Sequence, residues 1–368
     1  MKVETWAFLQ LAILSTGMLP AVAAADSYLS LERHSFAHDG IEREFFVHVP
    51  DDANGALPVV VAIHGYTSTA TGFAAFHDLG GHANEHGYIV VFPQSTHFAS
   101  ENADGPYRVT SWNLFGDAKP DPAAGPHCVE EADRYPCPPE CGSCGRCTWA
   151  SCNDDLGYFD TLLEIVASKY RTDLDRYYAL GMSNGGMMTL LLGCERSERF
   201  AAIAAIAAQM PAGYGCRPET LLPMLHLSGG KDDVVRSDGR PSGDGYIYES
   251  VENTTAAWAS TLGCESGPQP WETKLSSAAG LTCTAFSTCA AGENAVVSCW
   301  DPNETHNWPA RRPGGAWPTC VTSQQIEAMP EQRLCEPREV TGPHRGMDMI
   351  WEFFERFERQ PNKGSSVH

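Results

Sequence analysis

Apolar and polar positions follow three different rhythms along this chain. Between residues 27 and 50 they alternate with a period of two, which puts Phe45, Val47 and Val49 on one face, and Asp39-Gly40 sits between two such runs. Alternation around an Asp-Gly pair predicts a hairpin of antiparallel edge strands opening a mixed sheet. Residues 57–63 and 88–92 are instead continuously apolar, which predicts central strands covered on both faces. The stretch 71–86 between them reads as a helix, so the three segments form a right-handed strand–helix–strand unit.

The rhythm stops at 94–153, where Gly, Pro, Asp and six cysteines dominate. A segment this long inside a domain predicts a disulfide-stapled insertion covering the strand ends, with Trp112 and Trp149 either lining a pocket or packing on the staples. Helical spacing returns at Asp154, with Leu156, Phe159, Leu163, Val166 and Tyr170 on one face. Asp154 and Asp155 suit the positive end of that helix dipole and need no catalytic role. Strands follow at 177–180, 201–208 and 222–227, a helix at 246–262 and short β-like runs through 264–305. A last helix spans 347–357, with Ile350, Phe353, Phe354 and Phe357 on one face. The whole pattern is α/β, with a mostly parallel central sheet flanked by helices.

Composition narrows the setting. The chain has 368 residues, 43% of them hydrophobic, enough for one large α/β domain or two smaller ones. A formal net charge of −21 argues against nucleic acid and against anionic membrane surfaces as partners. Lys2, an apolar run from Trp6 to Leu14 and small residues up to Ala25 predict a secretory signal at 1–25, and the run is too short to anchor in a bilayer. We therefore expect a secreted protein with one catalytic domain over 26–360, carrying a cysteine-rich insertion at about 114–153 and a second at about 310–340. A polar tail occupies 361–368. All fourteen cysteines follow the signal. The spacing of Cys137, Cys141, Cys144 and Cys147 suits zinc, but an even count in an oxidising compartment favours disulfides and no metal. Cys194–Cys216 and Cys320–Cys335 are the pairings expected from proximity in the chain. Asn253 and Asn303 open sequons for glycosylation in a eukaryotic host.

The chemistry concentrates at Gly181-Met182-Ser183-Asn184-Gly185, which joins an apolar strand to an apolar helix. G-x-S-x-G in that context predicts a strained turn that exposes the serine as a nucleophile. Serine needs a base within hydrogen-bond reach, and the base needs a carboxylate to orient it. Asp232 or Asp233, on the loop after a buried strand, supplies the acid; His306 or His344 supplies the base. His226 lies inside a strand and reads as a core residue, and His64 as a shaper of the loop after residues 57–63. The backbone N–H of Asn184, with that of Tyr66 or Thr67, is placed to form an oxyanion hole.

These segments resemble the secreted α/β-hydrolase esterases grouped with polyhydroxybutyrate depolymerases and feruloyl and acetyl xylan esterases. The most specific matches are Gly181-Met182-Ser183-Asn184-Gly185-Gly186-Met187-Met188 and His306-Asn307-Trp308-Pro309. The resemblance implies an α/β-hydrolase fold with Ser183, Asp232 and His306 as the catalytic residues, selecting Asp232 over Asp233 and His306 over His344. It implies hydrolysis of a polymer-linked carboxylic ester through an acyl-serine intermediate, with no cofactor. The implied substrates are feruloyl or acetyl esters of plant polysaccharide, or a polyhydroxyalkanoate. Trp112 and Trp308 are expected at the substrate, and the protein is expected to be a monomer. Ser228 and Gly230 depart from the family's usual histidine and threonine. A serine peptidase of the same fold and a non-catalytic protein that kept the fold are the alternatives.

Overall fold

The computed structural model describes residues 31–102, 105–115, 120–144, 147, 151–308, 319–336 and 344–359. The expected signal, Trp149, Pro309 and the polar tail lie outside them.

The Asp39-Gly40 pair forms the predicted hairpin, with φ 49° and 77°, between β1 (Glu32–His38) and β2 (Ile41–His48). Phe45 and Phe46, on opposite faces of β2, are both buried, so of the two hairpin strands only β1 is an edge of the sheet. The first continuous apolar run is β3 (Leu57–Ile63), and the second is β4 (Ile89–Pro93). They pair in parallel, as the strand–helix–strand reading requires. Between them the single helix expected over 71–86 is two: α1 (Ala70–His77) and α2 (Leu79–His86). Asp78 breaks them with a left-handed backbone, φ 49° and ψ 41°.

The segment after β4 contains a hairpin that the pattern did not reveal, β5 (His97–Asn102) with β6 (Gly105–Thr110). It forms a separate two-stranded sheet, and its short strands carry too few apolar residues to show a period. Helix α3 (Asp155–Lys169) is capped by Asp154, whose carboxylate accepts the N–H of Gly157. Asp155 does more than complement the dipole. It is buried, takes Arg43 Nη2 at 2.6 Å, the N–H of Asn113 at 2.7 Å and Ser151 Oγ at 3.0 Å, and so ties β2 and the insertion to α3.

The central strand β7 (Thr172–Met182) leads into α4 (Asn184–Glu195), followed by β8 (Ala202–Ile206) and β9 (Met224–Gly229). Helix α5 (Val251–Thr261) starts at the Ser250 cap, five residues later than the expected helix at 246. β10 (Gln269–Trp271), α6 (Lys274–Ala279), β11 (Thr282–Phe286), β12 (Val296–Asp301) and α7 (Arg345–Phe354) complete the described elements. Ile350, Phe353, Phe354 and Phe357 are all buried, as their spacing predicted.

Ten strands form one sheet in the order β1-β2-β4-β3-β7-β8-β9-β12-β11-β10. The six from β4 to β12 are parallel, and an antiparallel pair flanks each side. β7 sits near the middle, so the turn at its carboxyl end opens where parallel-sheet enzymes gather their ligands. Disulfides join Cys128–Cys147, Cys137–Cys144, Cys141–Cys152, Cys194–Cys216, Cys264–Cys289, Cys283–Cys299 and Cys320–Cys335. Both pairings expected from proximity are among them, and the zinc-like spacing is occupied by disulfides. Among the described residues no helix is long and apolar enough to cross a membrane.

Candidate active site

Ser183 occupies the turn between β7 and α4 with φ 57° and ψ −127°, a conformation that non-glycine residues reach only under constraint. The constraint is visible on both sides. Its N–H donates to Ile206 O at 2.9 Å, and its carbonyl accepts the N–H of Met187 at 2.9 Å as the first turn of α4. A Cβ on Gly185 would stand 2.2 Å from Ile63 O, and one on Gly181 would stand 2.3 Å from Gly185 O. Only glycine lets the helix start this close to the strands.

His306, on the loop after β12, places Nε2 2.9 Å from Ser183 Oγ and Nδ1 2.8 Å from Asp232 Oδ2. The other oxygen of Asp232 accepts the N–H groups of Val234 and Val235, both at 2.9 Å. A carboxylate held by three donors and closed off from solvent is fixed as an acceptor, which assigns the Nδ1 proton to His306. Asp233 instead points outward to Arg236 at 3.0 Å. His344 pairs with Asp78 at the start of α7, away from the serine. The geometry thus brings together Ser183, Asp232 and His306 and leaves both alternatives out.

The loop after β3 is held from beneath. His64 is completely buried, and its Nε2 accepts the N–H of Ser95 at 3.2 Å, so Nδ1 carries the proton donated to Gly65 O at 2.8 Å. Gly65 lies tight against Ser183, where a Cβ would meet Ser183 Cβ at 3.3 Å. The N–H of Thr67 is used by Thr110 O at 2.9 Å, which leaves Tyr66 as this loop's contribution to the oxyanion hole we propose below. Asn184 opens α4, and a helix's first N–H groups have no partner inside the helix.

Both tryptophans expected at the substrate are buried. Trp112 has no exposed surface; its indole N–H donates to His64 O at 2.8 Å and its backbone N–H to Asn184 Oδ1 at 2.9 Å. It clamps the start of α4 to the end of β3 through Asn184 and His64, because an indole that large and that close to a core sheet is buried more readily than displayed. Trp308 is 4% exposed and packs on Phe73 and on His77, with ring centroids 6.0 and 4.3 Å away.

Tyr66, in the loop that abuts Ser183, opens a row of tyrosines whose other members carry no sequence-based expectation for the site. Tyr66 stands edge-on to Tyr135 at 5.6 Å, Tyr135 edge-on to Tyr246 at 5.6 Å, and Tyr246 is stacked on Tyr248 at 6.4 Å. The row assembles because the insertion zips along the segment after β9. Val129 N–H pairs with Gly245 O, Asp133 N–H with Asp244 O, and Ile247 N–H with His127 O. Tyr135 also donates to Asp244 Oδ2 at 3.0 Å. The only available signal was the Tyr246, Tyr248 alternation, which resembled a helix start.

Burial holds His64 and His226 neutral, each lowered to about 4 from the usual 6.5. In the unfolded chain both protonate near 6.5, so between 6.5 and 4 unfolding takes up protons. Stability from this source is full above pH 6.5 and is lost as pH falls toward 4, by about 3 kcal/mol for each histidine. The urea midpoint is expected to drop between pH 7 and 4, and to drop less in His226→Gln. An unchanged slope in that variant would contradict this account.

A parallel sheet whose middle strand turns through a strained serine, met by an aspartate-held histidine, decides the fold. It is the α/β-hydrolase fold. The model of the prolyl oligopeptidase family matches residues 159–212, from α3 through the serine turn to the segment after β8. "Putative esterase NocK" of Nocardia uniformis subsp. tsuyamanensis is 30% identical over 176 residues, 45% of this chain and 50% of that one. Feruloyl esterase B of Piromyces equi is 28% identical over 147 residues, 38% of this chain and 26% of that one. Acetylxylan esterase A of Emericella nidulans is 24% identical over 169 residues, 46% of this chain and 43% of that one. The chain thus spans half or less of the length of these curated relatives.

Proposed function

We propose that the protein is a secreted serine esterase that cleaves carboxylic esters through an acyl-serine intermediate. The observation that carries this reading is the unbroken relay from Ser183 Oγ through His306 to Asp232, at 2.9 and 2.8 Å. Ser183 Oγ attacks the ester carbonyl while His306 Nε2 takes its proton, and Asp232 stabilises the imidazolium. Backbone N–H groups of Asn184 and Tyr66 stabilise the oxyanion. The tetrahedral intermediate collapses, the alcohol leaves with the proton from His306, and water repeats the sequence to release the acid. No step calls on a cofactor.

The acyl group we propose is a phenolic one carried on a polymer, with the protein acting as a monomer outside the cell. The edge-on pair of Tyr66 and Tyr135, both partly exposed and the first of them in the loop that abuts Ser183, supports an aromatic acid beside the serine, since offset and edge-on ring pairs add about 1 kcal/mol beyond area burial. Seven disulfides support an oxidising compartment. In kinetic assays, methyl ferulate is expected to exceed p-nitrophenyl acetate in turnover relative to background. Tyr135→Ala is expected to lower kcat/KM for methyl ferulate by about tenfold while leaving the acetate within about twofold. Equal losses on both esters would remove the phenolic reading and leave the esterase intact.

The prolyl oligopeptidase match favours a second reading, a serine peptidase on the same fold. Cleavage of a peptide p-nitroanilide faster than any ester would favour it.

A further inference from the structure

We propose that His82, His86 and Asp348 form a binding site for a divalent transition-metal ion that clamps α2 to α7. His82 and His86 are one helical turn apart on α2, so they project from one face, and their rings stack 4.1 Å apart at 18°. Asp348, in the first turn of α7, brings Oδ1 to 3.2 Å from His82 Nε2. The three ligand atoms lie within 4.8 Å of one another. A tetrahedral zinc site with bonds of 2.0–2.2 Å spaces its ligands by about 3.3 Å, so a modest closure suffices. His86 is exposed and Asp348 half-buried, which lets both close while His82 stays in place.

His82 is the fixed member. It has no exposed surface, and its Nδ1 shares a hydrogen bond of 2.7 Å with the hydroxyl of Tyr88. A partner on the remote nitrogen that sets the tautomer is the usual support of a ligating histidine. Two imidazoles and one carboxylate suit zinc and its neighbours and not magnesium, which prefers oxygen ligands. Disulfides occupy all fourteen cysteines, so no thiolate competes.

The site is independent of the serine, and its effect is to tie the helix after the oxyanion loop to the helix that closes the sheet. Purified protein stripped with EDTA and titrated with zinc sulfate by calorimetry is expected to bind one zinc ion per chain and to melt at higher temperature once loaded. His86→Ala and Asp348→Asn are each expected to weaken binding at least tenfold, and Tyr88→Phe by about 10- to 100-fold. Cobalt loading is expected to give visible absorption that His86→Ala removes. Both first variants alter accessible side chains, so circular dichroism should match the wild type. Absence of saturable zinc binding by the wild type, or binding that survives both His86→Ala and Asp348→Asn, would overturn the proposal.

Discussion

Ser183→Ala is expected to reduce ester turnover by about 10⁴- to 10⁶-fold and to abolish labelling by a fluorophosphonate probe, with the thermal midpoint unchanged. The size of the effect follows from the division of labour. The nucleophile, the base and its carboxylate act as one unit, so removing Oγ forfeits most of what all three contribute. Asp232→Asn is expected to lose about 10⁴-fold in kcat, because an amide at 2.8 Å from His306 Nδ1 can present its own N–H and hold the imidazole in the wrong tautomer. Asp233→Asn is the internal control. Its carboxylate faces Arg236, not His306, and kcat should stay within about threefold of wild type. Equal losses in the two aspartate variants would contradict the assignment of Asp232. Equal labelling of wild type and Ser183→Ala would remove the catalytic reading altogether.

Gly185→Ala is expected to destabilise the fold by more than about 3 kcal/mol, at or above the upper end for overpacking. The added methyl would lie 2.2 Å from Ile63 O, 2.3 Å from His64 O and 2.7 Å from Ile63 C. All three are backbone atoms of β3 and the loop that follows, so no rotamer change relieves the clash. Either α4 retreats from the sheet or the His64–Gly65 segment shifts away from Ser183. A lowered urea midpoint with lost activity is the expected result. Gly267→Ala provides the comparison, since a Cβ there meets nothing within 4 Å and the change should stay within about 0.5 kcal/mol. Equal stability of the two variants would show that the turn is not held against β3.

Much of this architecture is written in local patterns. Residues 57–63 could only be a strand covered on both faces, because seven consecutive apolar side chains leave no face for water. Asp39-Gly40 announced its hairpin because few other pairs adopt two successive positive φ values. The serine turn was legible for a related reason: Gly181 and Gly185 mark the two places where backbone approaches backbone too closely for a Cβ. The contacts of Asp155 and Trp112 were not legible because their partners are remote in sequence. Nothing near Asp155 announces Arg43, and nothing near Trp112 announces His64 O. A large aromatic in a cysteine-rich segment has no periodic neighbours from which burial can be inferred.

The sequence by itself therefore determined the α/β class, the serine turn and the order of nucleophile, acid and base, since each depends on residues close together or on chain order. Spacing alone left Asp232 or Asp233 and His306 or His344 open; the family resemblance favoured Asp232 and His306, and only the tertiary structure shows those two, and not their alternatives, within hydrogen-bond reach of one another and, through His306, of Ser183. Those choices are matters of distance between segments up to 123 residues apart, as from Ser183 to His306, and of which side of a loop a side chain faces. Neither is encoded in spacing. Both are set by how the insertion, the loop after β9 and the loop after β12 dock over the carboxyl ends of the parallel strands.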